Sequence, residues 1–179
     1  MSTLTCPLPS NINPLSPNGF LFNITKLPDV NFFSQQVNIP SVSLGAPEQG
    51  TPFLMVPLPG EMLTFGSLEL QFIVDEDMKN YTAIFNWMKG LGFPHDYAQY
   101  TDFQKQDAMG FTRSELSKNM SDGVLQILNS SNNVISSIQF RDIFPVNLES
   151  LTFLSTSQDV QYLTGSATFR FSYYEFMTV

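Results

Sequence analysis

Thr64–Gly92, TFGSLELQFIVDEDMKNYTAIFNWMKGLG, changes its hydrophobic period once, and that change decides the fold class. Leu68, Leu70, Phe72 and Val74 alternate with Glu69 and Gln71, which places the apolar set on one face of a strand, with Ile73 the single break. After Asp75-Glu76-Asp77, the apolar residues Met78, Tyr81, Ile84, Phe85, Met88 and Leu91 recur at steps of three and four, the spacing of one helical stripe. Asp75 or Asp77 is expected to cap the first free N–H groups of that helix, where the dipole also favours acidic residues, and Gly90 or Gly92 to end it. A strand feeding straight into one amphipathic helix predicts a sheet whose apolar face the helix covers.

Working outward, the flanking sequence is written mostly in short alternating runs. Phe20, Phe22 and Ile24 mark a first strand, closed by Leu27-Pro28-Asp29, and residues 32–39 form a second run whose Gln35, Gln36 and Asn38 suit an edge or a wet face. Residues 41–59, SVSLGAPEQGTPFLMVPLP, carry Phe53, Leu54, Met55 and Val56 between Pro52 and Pro57, which confines the segment to a sheet edge or an excursion. Two readings stay open for that tetrad: a loop folded back onto its own core, or an arm that docks on another subunit.

Beyond the helix, residues 93–122 mix charges of both signs and lose periodicity, as an exposed connection does, with a short helix expected around 114–119. Residues 123–129 and 134–140 flank Ser130-Ser131-Asn132-Asn133 as a hairpin, after which Ile143-Phe144-Pro145 redirects the chain. Leu148, Leu151 and Phe153 are expected to open the last hairpin, with residues 155–159 as its loop. Alternation from Val160 to Tyr174 then predicts one strand of about 15 residues, roughly 50 Å long. Its polar side holds Thr164, Ser166, Thr168 and Arg170, small hydroxyls and one cation, the composition of a strand lining water.

Composition bounds the function. Charged residues make up only 13% of the 179, about half the ordinary share, and aromatics reach 13% with 17 Phe. A domain of this size leaves much of its surface in water, so low charge argues that other subunits cover part of it. A net charge of −8 argues against a nucleic-acid clamp, which needs basic stripes. No stretch has the apolar length of a membrane span, and the Pro-rich residues 1–17 read as an arm rather than a secretory signal, which points to folding in a reducing cytoplasm. Cys6 is the single cysteine, so no internal disulfide framework or multi-cysteine metal site is expected.

Chemistry finds no foothold in the pattern. His95 is the single histidine, and its neighbour Asp96 is adjacent rather than facing. Asp75-Glu76-Asp77 lacks the spaced ligands of a calcium loop. There is no phosphate-cradling glycine loop, nucleophile elbow or zinc spacing. The expectation is no catalytic, cofactor-binding or metal site, and a structural assembly protein as the leading class.

The order of NGFLFNI, NIPSVSL, PGEMLTFGSLELQFIVDEDMKNYTAIFNWMKGLG and DIFPVNLESLTFLSTSQDVQYLTGSATFRFSYYEF resembles the tail tube proteins of contractile-tailed bacteriophages. Leu63-Thr64-Phe65, Asp75-Glu76, Trp87, Phe144-Pro145-Val146 and the final FRFSYYEF carry the resemblance across residues 18–179, through their order and spacing. It implies a mainly β fold: an antiparallel sandwich or barrel-like sheet with one flanking helix, in a single domain, whose long strands complete a barrel between subunits. It further implies hexameric rings stacked into a virion tube through which DNA is ejected, with tail sheath and baseplate proteins as partners. In that setting Glu69, Gln71, Thr164, Ser166, Thr168 and Arg170 would face the lumen, Arg170 neutralised by Glu69 or another inward carboxylate. Phe53, Leu54, Met55 and Val56 would make ring-to-ring contacts. The same fold occurs in secretion-system tubes, and a ring that starts or ends the tube fits the pattern as well as a repeating subunit does. The alternative from another class is a peripheral binding module of the tail.

Overall fold

A computed structural model describes residues 13–92, 119–155 and 162–178. The expectations for Cys6, for His95 and for a helix around 114–119 lie outside these residues, Asn119 excepted. Eleven strands and two helices are described: β1 (Phe20–Ile24), α1 (Pro28–Phe32), β2 (Ser34–Val37), β3 (Val42–Leu44), β4 (Glu48–Gly50), β5 (Met55–Pro57), β6 (Leu63–Phe65), β7 (Leu68–Ile73), α2 (Lys79–Gly92), β8 (Ser121–Leu128), β9 (Val134–Leu148), β10 (Thr164–Arg170) and β11 (Tyr173–Thr178).

All strand pairing is antiparallel, and one strand organises it. The first part of β9 pairs with β8 on one side and β11 on the other, and β1 continues from β8. Its last residues pair with β10, followed by β7 and β2. A 15-residue strand thus belongs to two four-stranded layers, and the sheet folds over where it passes between them. The fold-over has a local cause. Opposite Ser121 and Gly123, two residues apart, β9 sets Ile143 and Phe140, three apart, so one extra residue is bulged out. Asp142 takes it up with φ 57°, a left-handed conformation that Asp tolerates better than most side chains. Arg141 Nη1 and the Asp142 N–H both donate to the Asp122 carboxylate, at 3.1 and 3.3 Å, which holds the corner. The bulge moves the buried set from Ile138 and Phe140 to Ile143 and Pro145, so both halves face one core.

That core draws on both layers and both helices. Phe22, Ile24, Leu125, Ile138 and Phe140 meet Leu68, Leu70, Phe72, Ala167 and Phe169, with Val30 of α1 and Ile84 and Trp87 of α2 in the same cluster. Each fully buried large side chain contributes roughly 1.5–3 kcal/mol relative to exposure. The mainly β class, the antiparallel layers and the flanking long helix are as the sequence pattern requires.

Four expectations are corrected. The Val160–Tyr174 alternation is not one strand: β10 ends at Arg170, and Ser172 N donates to Arg141 O (3.0 Å) at the fold-over, so that Tyr174 rather than Tyr173 turns toward the core. The long strand is instead β9, which runs through Ile143-Phe144-Pro145 where a redirection was expected, and the β9–β10 hairpin opens at Leu148 with Leu151 and Phe153 beyond its strands. Where Leu27-Pro28-Asp29 was expected only to close β1, α1 runs from Pro28 to Phe32, because Pro28 at its first turn favours a helical start, and the strand of the 32–39 run is confined to Ser34–Val37. The α2 stripe is turned by about one position: Asn80, Ile84, Trp87 and Gly90 are buried, while Phe85 is 53% exposed.

The α2 cap also differs from expectation. Met78 sits at φ 53°, and Asn80 ties the strand to the helix. Its Nδ2 donates to Ile73 O (2.7 Å), while its Oδ1 accepts from the N–H groups of Asp75 (3.2 Å) and Tyr81 (2.8 Å). Asp77 instead pairs with Lys79.

Candidate functional site: a polar sheet face and an apolar arm

The β2-β7-β10-β9 layer buries one face and offers the other to solvent, because strand side chains alternate. Leu68, Leu70 and Phe72 of β7 and Gly165, Ala167 and Phe169 of β10 point inward. Register then aligns the remainder. Gln71 lies beside Ser166 on one side and Gln36 on the other. Glu69 lies beside Thr168, and Thr168 beside Asn147. Asn38 extends the edge by donating to Ser67 O (3.0 Å) and accepting from the Glu69 N–H (2.6 Å). Thr164 and Arg170 stand at the two ends of the β10 row.

The six residues singled out on these strands therefore share one face. Gln36, Asn38 and Asn147, which the sequence reading had not assigned to it, join them. The signal for the first two was present in the polar content of the 32–39 run. Asn147 was hidden behind the expected redirection at Pro145. Within the chain no ion pair joins Arg170 to Glu69. Glu69 faces Thr168 directly, and Arg170 is its diagonal neighbour, one pleat further along.

The segment from Val42 to Phe65 leaves this layer as a single antiparallel arm. β3 pairs with β6, and β4 with β5. Between the two pairs, Gly45 N donates to Met62 O (3.1 Å), Gly60 N to Gly45 O (2.7 Å) and Leu58 N to Pro47 O (2.9 Å), so the ladder is continuous. Thr51 closes the tip, its N–H donating to Leu54 O (2.9 Å) and its Oγ1 accepting from Leu54 N (3.1 Å). The register of the two limbs slips by two residues at Glu61–Met62, and a Cβ on Gly60 would run into the Gly45 carbonyl oxygen. From Val42 to Thr51 the arm extends about 30 Å.

Near its root the arm is two-faced. Val42, Leu44, Leu63 and Phe65 share one side, while Ser43 and Thr64 share the other, their hydroxyls 2.7 Å apart. Phe65 anchors the root against Phe171 and Tyr174, with ring centroids 5.8 and 5.4 Å away. Toward the tip nothing covers the apolar residues: Phe53 is 97% exposed, and Leu54, Met55, Val56 and Leu58 are exposed as well. Of the two readings of the tetrad, the one folded onto its own core does not describe this chain.

Among the described residues no group of three or more His, Cys, Asp or Glu is placed to hold a metal ion, and no helix is long and apolar enough to cross a membrane.

No protein-family model matches the chain, and a search of curated proteins finds no match. Solved structures do match. A chain of the cap that terminates the tube of the anti-feeding prophage aligns with TM-score 0.60 at 16% identity, covering 99% of this chain and all of that one. A chain of the sheath–tube complex of the PVC extracellular contractile injection system aligns with TM-score 0.57 at 14% identity, over 93% of each. A chain of the anti-feeding prophage baseplate aligns with TM-score 0.57 at 16% identity, over 93% of this chain and 97% of that one. Pairing, strand order and the flanking helix thus give this chain the tail-tube fold of contractile injection systems.

Proposed function

We propose that this protein is a ring-forming tube subunit of a contractile tail, with the β2-β7-β10-β9 face turned inward as the wall of a channel. The observation that carries the reading is that face itself: four strands with a dry side on the core and an outer side made mostly of hydroxyls and amides, with Glu69, Arg170 and Ile73 among them. Among the described residues its two outer strands, β2 and the last residues of β9, have unpaired edges, along which copies join laterally into a ring. Low overall charge fits a subunit largely covered by its neighbours.

Glu69, Gln71, Thr164, Ser166, Thr168 and Arg170 line the channel, together with Gln36 and Asn147. Arg170 is met there by a carboxylate of an adjacent copy. Phe53, Leu54, Met55 and Val56, carried out on the arm, make the contacts between rings. In a phage tail the channel conducts DNA. A hydroxyl and amide lining offers phosphates few fixed cations, so DNA slides rather than binds. Sheath packs outside the tube and the baseplate at its end, and the assembly sits in the virion tail. A ring that ends the tube is the second reading, favoured by the end-to-end alignment with the anti-feeding prophage cap.

Negative-stain microscopy with sedimentation of concentrated protein tests the proposal. Rings or stacked tubes are expected, and single rings without stacking favour the terminating role. A monomer at high concentration overturns both.

A further inference from the structure

We infer that the contact between neighbouring copies within a ring has a second, apolar part: one flank of α2, centred on Phe85, closes over Phe32 and the dry side of β2 on the adjacent copy. The inference rests on the ring reading and names side chains that hold its copies together beside the strand edges.

The two surfaces lie on opposite sides of the β2-β7-β10-β9 layer. On the β9 side, Tyr81 Oη donates to Glu149 O (3.1 Å), and Met88 and Leu91 line a cleft with Phe144 and Val146. Tyr81, Phe85 and Met88 recur at steps of four and three, so they share one flank of the helix. Tyr81 and Met88 are held against β9, while Phe85 between them is 53% exposed. Among the described residues no strand pairs with this edge of β9 beyond Ile143, so the flank overhangs the place that an added strand takes. On the β2 side, Phe32 is 86% exposed at the end of α1. Val37 lies beside Leu70 on the dry side, yet it is only partly buried, because it stands at the end of its row.

Register brings the two surfaces to one level. Ile73 marks one end of both: its N–H donates to Phe33 O (3.0 Å), and its carbonyl accepts from Asn80 Nδ2 (2.7 Å) in the first turn of α2. Toward the other end, Val37 pairs with Leu70, and Trp87 packs against Phe169, the partner of Leu68 (ring centroids 6.3 Å apart). The flank and the Phe32–Val37 run thus cover the same stretch of sheet from edges about 14 Å, three strand spacings, apart, and they cannot meet within one chain. Between copies they can. β2 is antiparallel to β9 through the intervening strands, so β2 of an adjacent copy extends the sheet in the same antiparallel sense and passes under Phe85. From Tyr81 to Met88 the flank covers about 10 Å, which accommodates a stagger of up to about three residues. Strand pairing alone exchanges bonds to water for bonds between copies, whereas covering Phe32 and Phe85 adds apolar burial. The two surfaces differ, so the contact is head to tail, as ring closure requires.

The test is charge reversal across the contact, read by sedimentation over a concentration series. Phe85→Asp and Phe32→Asp should each melt like the parent and raise the concentration needed for rings about ten-fold or more. Phe32→Lys should weaken rings when introduced alone but restore them in the Phe85→Asp background, where an ammonium then meets a carboxylate, and salt should reduce that rescue. If Phe85→Asp unfolds, Phe32→Asp with Phe85→Lys carries the same test from the other side.

Rings at the parent concentration from either Asp variant, or no rescue by the opposite charge, overturn the inference while leaving the ring reading in place. If the unsubstituted protein forms no rings, the ring reading and this inference fall together.

Discussion

Asn80 shows how one buried polar side chain sets the junction between strand and helix. Its amide satisfies three backbone groups across the turn from Ile73 to Tyr81, and the residue is fully buried. Asn80→Ala leaves those groups without their partner and should cost about 2–4 kcal/mol. The expected readout is a lower urea midpoint with an unchanged slope; a midpoint within error of the parent would mean that water replaces the amide. The neighbouring Asp77–Lys79 pair is a different matter. The Lys79 hydrogen bond and charge hold Asp77 below its ordinary carboxylate range and raise Lys79. The Asp77 contribution is therefore present above its unfolded pKa and lost as pH falls through the lowered folded value, while that of Lys79 is lost as pH rises through its raised one. Both side chains are exposed, so salt screens the pair, and Asp77→Asn should melt like the parent in concentrated salt.

Two elements depend on backbone geometry rather than on burial. In β9 the bulge at Asp142 lets one strand serve two layers. Asp142→Gly should be tolerated, whereas Asp142→Val, β-branched at φ 57°, should lose about 1–2 kcal/mol by chemical denaturation. Equal stability of the two variants would show that the corner relaxes. In the arm, Gly60 is the place where the two limbs touch. Gly60→Ala drives a Cβ into the Gly45 carbonyl, and both atoms belong to the backbone, so no side chain can swing aside. The arm should lose its pairing while the core, which has no part in it, keeps its melting temperature. Rings that no longer stack are the expected product, and normal tubes from this variant would contradict the role given to the arm. Thr168→Pro, by contrast, is no clean probe of assembly: β10 lies between β7 and β9, so a proline there damages the subunit before it can test the ring.

For the whole molecule, the question is what the polar face does when repeated around a ring. Glu69 and Arg170 carry opposite charges on a face whose other polar side chains are hydroxyls and amides, with the apolar Ile73 beside Thr164. Glu69→Lys leaves the dry side of β7 untouched, so tubes should still assemble. It also converts the face to two cations per copy. Such tubes should retain short double-stranded DNA at low salt and release it as salt rises, while unsubstituted tubes let it pass. Equal retention by both would show that this face does not line the passage.

The parts of this fold legible in the sequence were those governed by a local period. The Leu68–Phe72 alternation, the long helix after Asp75-Glu76-Asp77 and the Ser130–Asn133 turn all concern residues within a few positions of one another, where alternation and turn chemistry act directly. The six polar positions on β7 and β10 followed from the same rule, since burying one side of a strand exposes the other. Tertiary structure decided the rest, because it turned on contacts distant in sequence. Trp87 is buried rather than Phe85 because its indole N–H donates to Asn119 O (3.0 Å) and its ring lies 6.3 Å from Phe169, so partners outside the helix choose which part of a broad apolar stripe faces in. The long strand is β9 and not residues 160–174 because Asp122 holds the bulge at Arg141–Asp142 from 19 and 20 residues away. Whether Phe53–Val56 would fold back or project depended on what the core had left to cover, and that core closes without them.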